Sequence, residues 1–191
     1  MKPEDNSEEA TYSLEDFQNQ AFYEASLKFS EILPSNICIG VCDELAMNDV
    51  QSLKDKGLLA WDVGFKMKPF MGSVSYPEHR LLTVIYYGDG VIGRYCAGYA
   101  LGCVNVDRKA VEVNFIDKRS DASEDLRYMF LPAIYEAWST YTYALNDLFG
   151  FDINSFVLVG PVPGVRKYYI ESGFTLVEDY HGSEAMVKTL Y

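Results

Sequence analysis

The side chains best equipped for chemistry in this 191-residue chain fall in two stretches of its C-terminal half. Residues 160–174, GPVPGVRKYYIESGF, place two phenols side by side, Tyr168 and Tyr169. Residues 111–125, VEVNFIDKRSDASED, carry the carboxylates Glu112 and Asp117, then Lys118, Arg119 and the hydroxyls of Ser120 and Ser123. A positioned phenol can donate a proton, a carboxylate can accept one, and cations beside free backbone amides can hold an anion. Plainer readings stand beside these. The tyrosines can pack a short helix against a sheet, each hydroxyl finding a surface partner. Glu112 can be a surface charge, and Glu124 with Asp125 can complement the dipole of a helix that starts there.

The elements that must position these groups can be read from apolar spacing. Ser155–Gly160 ends an apolar, Val-rich run that reads as a buried strand; a Pro/Gly turn and a short helix follow. That helix stops at Gly173, where left-handed backbone angles cost glycine little, and a second strand begins at Phe174. Upstream, Leu126, Phe130, Ala133, Ile134, Ala137, Tyr141, Leu145 and Leu148 trace an amphipathic helix to Gly150. It either starts just before Pro132 or is kinked there. Leu81–Tyr87, Val91–Asn105 and Ala110–Ile116 read as strands joined by turns at Gly88–Asp89–Gly90 and Asp107–Arg108–Lys109, an antiparallel meander. Alternation along the third strand puts Glu112 and Asn114 on the face opposite Val111, Val113 and Phe115. Met186–Tyr191 reads as a last edge strand.

The N-terminal part is less regular. Residues 1–12 are polar and acidic and read as a flexible end, with residues 13–191 as one domain. Ser13 and Asp16 make a near capping box ahead of the stripe Leu14, Phe17, Ala21, Ala25, Phe29 and Ile32, which Pro34 closes. Ile37–Val41 reads as a strand and Asn48–Lys56 as a helix ending at Gly57. Trp61–Ser75, with Lys66, Lys68 and Pro69, reads as an exposed loop with some extended structure that can line a substrate cleft. The order is α+β around a single mixed sheet.

Strand, broken turn, Tyr-Tyr helix, Gly-Phe and strand together resemble the C-terminal signature of the GCN5-related N-acetyltransferase (GNAT) superfamily. The segments DGVIGRYCAGYALG (89–102) and VEVNFID (111–117) are similar to a divergent bacterial and phage branch of it, and the likeness spans residues 80–180. The resemblance implies a GNAT-like acyl-CoA N-acyltransferase fold, with a mixed, mostly antiparallel central sheet flanked by helices. It implies transfer of an acetyl or acyl group from acyl-CoA to an amine by direct attack, with no enzyme nucleophile and no metal. By position, Val111–Asp117 becomes the strand that splays from its neighbour to hold the pantetheine arm of acetyl-CoA. The family's Gln/Arg-x-x-Gly-x-Gly/Ala pyrophosphate loop falls on residues 118–125, with Arg119 at its first position. Ala122 and Glu124 stand where the family has a glycine and a small residue. The implied cofactor contacts are Ile116, Asp117, Lys118, Arg119, Ser120, Ala122, Ser123 and Tyr168. Tyr169, four residues before Gly173, takes the place of the acid that protonates the leaving thiolate. Glu112 or Asp117, bracketing that strand, would relieve the amine of its proton directly or through water. A second reading on the same fold is a catalytically inactive module that recognises a protein partner through an acidic surface.

Composition narrows the partners. A formal charge of −12 without a basic cluster disfavours nucleic acid and favours a cationic acceptor or basic partner. No apolar run reaches the roughly 20 residues needed to cross a bilayer. An acidic start without an apolar signal segment makes a cytoplasmic protein the expectation. Cys38, Cys42, Cys96 and Cys103 lack CxxC spacing and read as buried reduced thiols, with no metal signature. His79 and His181 are expected at the surface, His181 in a turn. No Gly-x-Ser-x-Gly elbow supports nucleophilic hydrolysis. Trp61, Phe65 and Phe70, if exposed, suit a homodimer contact.

Overall fold

The first helix, α1 (Leu14–Ile32), starts where Ser13 and Asp16 exchange hydrogen bonds. Asp16 Oδ2 accepts the Ser13 amide at 2.8 Å and Ser13 Oγ accepts the Asp16 amide at 3.2 Å. The computed structural model describes residues 13–73, 77–89 and 93–190. Expectations for residues 1–12, for Gly90 with the start of Val91–Asn105, and for Tyr191 lie outside the described residues.

Among the described residues, seven strands form one sheet: β1 (Ile37–Val41), β2 (Arg80–Tyr87), β3 (Tyr95–Asn105), β4 (Ala110–Lys118), β5 (Ser155–Val159), β6 (Thr175–Tyr180) and β7 (Ser183–Thr189). Their order is β1-β2-β3-β4-β5-β7-β6. Every neighbouring pair is antiparallel except β4 and β5, which are parallel. A parallel pair needs a long crossover, and α4 (Glu124–Phe149) supplies it. The helix begins well before Pro132, so the proline lies inside it. The last strand departs from expectation. It is β7, it starts at Ser183, and it sits between β5 and β6 rather than at an edge. A hairpin through His181 and Gly182, both at positive φ (52° and 85°), folds it back beside β5.

Helices α1 and α4 cover one face of the sheet, burying Phe22, Phe29, Ile134 and Trp138. On the other face lie α2 (Glu44–Asp55) and α3 (Val63–Ser73). α2 begins earlier than apolar spacing suggests because Asp43 Oδ1 accepts the Ala46 amide at 2.8 Å, which caps the helix. Within the segment expected as a loop, Trp61–Ser75, Val63–Ser73 instead folds as α3, while residues 74 and 75 lie outside the described residues. Burial of Val63 and Phe70 against Tyr99 and Leu101 outweighs the poor helix propensity of Gly64, Pro69 and Gly72. The expected aromatic surface changes accordingly: Trp61 and Phe65 are exposed, but Phe70 is 3% exposed.

His79 is also a correction. It is 6% exposed and meets the Phe151 ring edge-on at 5.2 Å, and burial lowers its pKa. Cys42, Cys96 and Cys103 are free and buried, Cys38 half-buried. Burial is the main cause that pushes the three buried thiols up to about 12, 11 and 12. Among the described residues, no helix is long and apolar enough to cross a membrane.

Gly102 sets how closely β3, β4 and α4 approach. A Cβ there would lie 2.0 Å from the Glu112 carbonyl oxygen and 2.6 Å from the Trp138 ring. Trp138 cannot retreat easily, being fully buried with its Nε1–H donating to Thr83 Oγ1 at 2.8 Å. Gly102→Ala should therefore cost about 1–3 kcal/mol by overpacking. Thermal denaturation should show a drop of roughly 2–4 °C per kcal/mol for a chain of this size. An unchanged midpoint would mean the two strands separate without cost.

Candidate functional site

β4 and β5 stay paired for only four positions, from Ala110↔Ser155 to Val113↔Leu158. β4 runs on to Lys118, while β5 ends at Val159 and the chain turns away at Gly160 (φ 60°). The divergence coincides with a bulge. Opposite β3, Leu101 pairs with Phe115 and Gly102 with Val113, so Asn114 is the extra residue. A bulge bends its strand and raises the local twist. It also ends the expected alternation: Val111 and Val113 pack on the α4 face, whereas Phe115 packs with the α2–α3 face. Asn114 Oδ1 is buried without a hydrogen-bond partner among the described residues.

Two clefts follow from this splay. The first, about 190 Å³, lies between Asn114–Ile116 and Leu158–Val162, with Trp61 and Lys66 on the α3 side. The second, about 410 Å³, lies beside Asp117, Lys118, Arg127 and Tyr128 on the α4 side. Tyr169, from α5 (Arg166–Glu171), and Ile116 line both. The Tyr169 ring is half-buried, and its hydroxyl makes no hydrogen bond to a described residue. Burial foremost, then Tyr168, raises its pKa.

The chain fixes α5 by local means. The Tyr169 carbonyl accepts the amides of Ser172 and Phe174 at 3.1 and 3.0 Å, and Gly173 takes φ 86°. Tyr168 donates its hydroxyl to the Tyr128 carbonyl at 3.3 Å. That carbonyl would normally accept the N–H four residues on, which is Pro132 and has none. The proline inside α4 thus leaves an acceptor that ties α5 to α4.

The three candidate proton carriers are not all brought together. Asp117 lines the second cleft, and its Oδ2 accepts the Trp61 amide at 3.0 Å, so it reaches toward the first. Burial raises its pKa, opposed by amide hydrogen bonds from Trp61, Ala60 and Lys118. Glu112 lines neither cleft. It sits in the paired part of β4 opposite Val157 and is 4% exposed, not a surface charge. Its Oε1 accepts from Tyr180 Oη at 2.8 Å, Arg108 Nη1 at 3.2 Å and Asn105 Nδ2 at 3.3 Å. The cause is topological: β5, β7 and β6 extend the sheet on that side, and Tyr180 reaches in from β6.

No family model matches the sequence, and no curated protein matches it. Solved structures do. Ard1 from Thermoplasma volcanium is similar with a TM-score of 0.50 at 14% identity, over 81% of this chain and 98% of that one. Spermidine N-acetyltransferase SpeG from Vibrio cholerae gives 0.50 at 11% identity, over 81% and 94%. FdhC, a nucleotide-linked sugar GNAT, gives 0.50 at 9% identity, over 82% and 89%. The fold is that of the GCN5-related N-acetyltransferases.

Within this GNAT fold, the loop at residues 118–123 is closed on itself. The Arg119 guanidinium binds Asp121 at 2.5 and 2.8 Å and lies 4.6 Å from the Tyr95 ring. The amides of Arg119, Ser120 and Ala122 donate to the carbonyls of Ala97, Leu58 and Arg119 at 2.9, 2.9 and 3.2 Å. What stays open is the first turn of α4, where Ser123 makes no side-chain cap. Lys118 and Arg127 flank the second cleft, and neither makes an ion-pair contact among the described residues. Burial, with Arg127 adding to it, lowers the Lys118 pKa, although neighbouring Asp117 opposes this. Sequence reasoning missed Arg127, although it lies one helical turn beyond Ser123 and shares its face. It also missed Asn114, whose bulge has no signal in an otherwise regular strand.

Proposed function

We propose that this chain is an N-acyltransferase that moves an acetyl or related acyl group from acyl-CoA to an amine by direct attack. The observation that carries this is the parting of β4 from β5, with Tyr169 between the two clefts that result. Acyl-CoA supplies an activated thioester. Phe130 and Leu131 offer an apolar wall for its pantetheine arm, beside the edge of β4 that has no strand partner beyond Val113. Lys118, Arg127 and the uncapped amides of α4 suit its phosphates, combining cations with a helix N-terminus. Arg119, Ser120 and Ala122 fit that role less well, because their donors are already bonded.

Tyr169 gives its proton to the departing sulfur as the carbon–sulfur bond breaks and the carbon–nitrogen bond forms. Asp117 takes the proton the amine must lose, through a water, from a carboxylate held by the Trp61 amide. Glu112 has no part in this.

The closed loop at residues 118–122 favours a second reading, the same fold without CoA affinity, recognising a protein through its acidic surface. Calorimetric titration with acetyl-CoA and desulfo-CoA separates the two. Binding heat and a thermal upshift are expected with both ligands. No heat and no shift at millimolar ligand would sink the acyltransferase and leave the binding module.

A further inference from the structure

We infer that the acceptor carries a carboxylate close to its amine, and that Lys66 is the residue that holds it. This rests on the acyltransferase reading above. Lys66, from α3, and Tyr169, from α5, both line the first cleft. Its ammonium lies 4.1 Å from the Trp61 ring centroid and 4.9 Å from that of Phe115. The rings hold the cation through their faces, which fixes its place without using its three N–H donors. No carboxylate or carbonyl among the described residues accepts from it. Other lysines do find such partners: Lys28 meets Glu136 at 2.6 Å and Lys109 meets Asp152 at 2.5 Å.

Asp117 and Asp62 bring negative charge nearby, but their carboxylates accept the Trp61 amide at 3.0 Å and the Phe65 amide at 2.7 Å, and neither residue lines the cleft or accepts from Lys66 among the described residues. Lys66 and Tyr169 are the titratable side chains in the lining itself. An amine placed for attack near Tyr169 therefore puts its substituent toward an ammonium with free donors. A carboxylate there gains a charge-assisted hydrogen bond, while a second cation meets repulsion at contact. The net charge of −12 acts differently. It attracts cations from a distance, but salt screens it beyond about 10 Å, so contact charges inside the cleft decide selectivity.

The test compares matched acceptors at saturating acetyl-CoA: amino acids, the same amino acids as carboxamides, and diamines. The expected result is a kcat/KM for the acids about tenfold or more above their amides, the effect of one charge-assisted hydrogen bond. Lys66→Gln should erase that preference mainly through KM, Lys66→Arg should retain it, and desulfo-CoA affinity should be unchanged in both. Transfer to amides or diamines at equal or better efficiency would overturn the inference, as would an acid preference that survives Lys66→Gln. Intact desulfo-CoA binding with no transfer to any carboxylate-bearing amine would overturn it too. Loss of desulfo-CoA binding in the unmodified protein would instead remove the acyltransferase reading on which it stands.

Discussion

Tyr169→Phe is expected to slow acyl transfer by about 10²–10⁴-fold, the usual contribution of a positioned general acid. Acetyl-CoA affinity should hardly move. The phenol ring, not its hydroxyl, forms the wall shared by the two clefts, and Phe preserves the ring against Phe174 at 6.2 Å. The hydroxyl has no hydrogen bond to a described residue to lose, so folding should be little affected. The pH dependence follows from burial. Tyr169 has its pKa raised, and the acid form is the active one. Its contribution is therefore present across neutral pH and lost only as pH climbs past the ordinary phenol value of about 10. Tyr168→Phe is the control. It gives up the 3.3 Å bond to the Tyr128 carbonyl and should cost stability rather than chemistry. Equal losses of rate and CoA affinity in Tyr169→Phe would make that residue a packing group.

The fold was legible where local chemistry and tertiary burial agree. Ser13 and Asp16 announce α1, Ile37–Val41 forms β1 with the expected bounds, and β2, β3 and β4 pair as an antiparallel meander. The Tyr-Tyr helix and its Gly173 stop also form as read. Legibility failed where a distant partner decides. Trp61–Ser75 carries glycines and a proline that argue against a helix, yet Phe70 has a core to enter. His79 looks like a surface residue until Phe151, far along the chain, covers it. The proposed site was partly readable for the same reason. Tyr169 and Asp117 were candidates from the sequence, and the structure puts Tyr169 on both clefts and Asp117 on the second. Lys66 belongs to the segment expected to line a cleft and does so, though from a helix rather than a loop. Asn114 and Arg127 were not candidates, because a bulge and a cleft that no local spacing encodes give them their place in the proposal.

Glu112 is the residue whose meaning changes most, and Glu112→Ala should separate stability from chemistry. The substitution removes the carboxylate that Arg108, Asn105 and Tyr180 share and leaves all three donors without that acceptor. Breaking a buried ion pair from one side costs about 3–5 kcal/mol. Arg108 is 35% exposed and can turn partly to water, which argues for the lower end of that range. A loss of about 3 kcal/mol should lower the midpoint by roughly 6–12 °C in a chain of this length. Glu112→Gln keeps an oxygen for Tyr180 and should fall between the two. Specific activity of either variant, measured well below its own midpoint, should stay near that of the unmodified protein, because Glu112 lines neither cleft. If Glu112→Gln instead kept its midpoint and lost transfer, the carboxylate would be acting on the reaction from behind the sheet, and Asp117 would no longer be the proton acceptor to pursue.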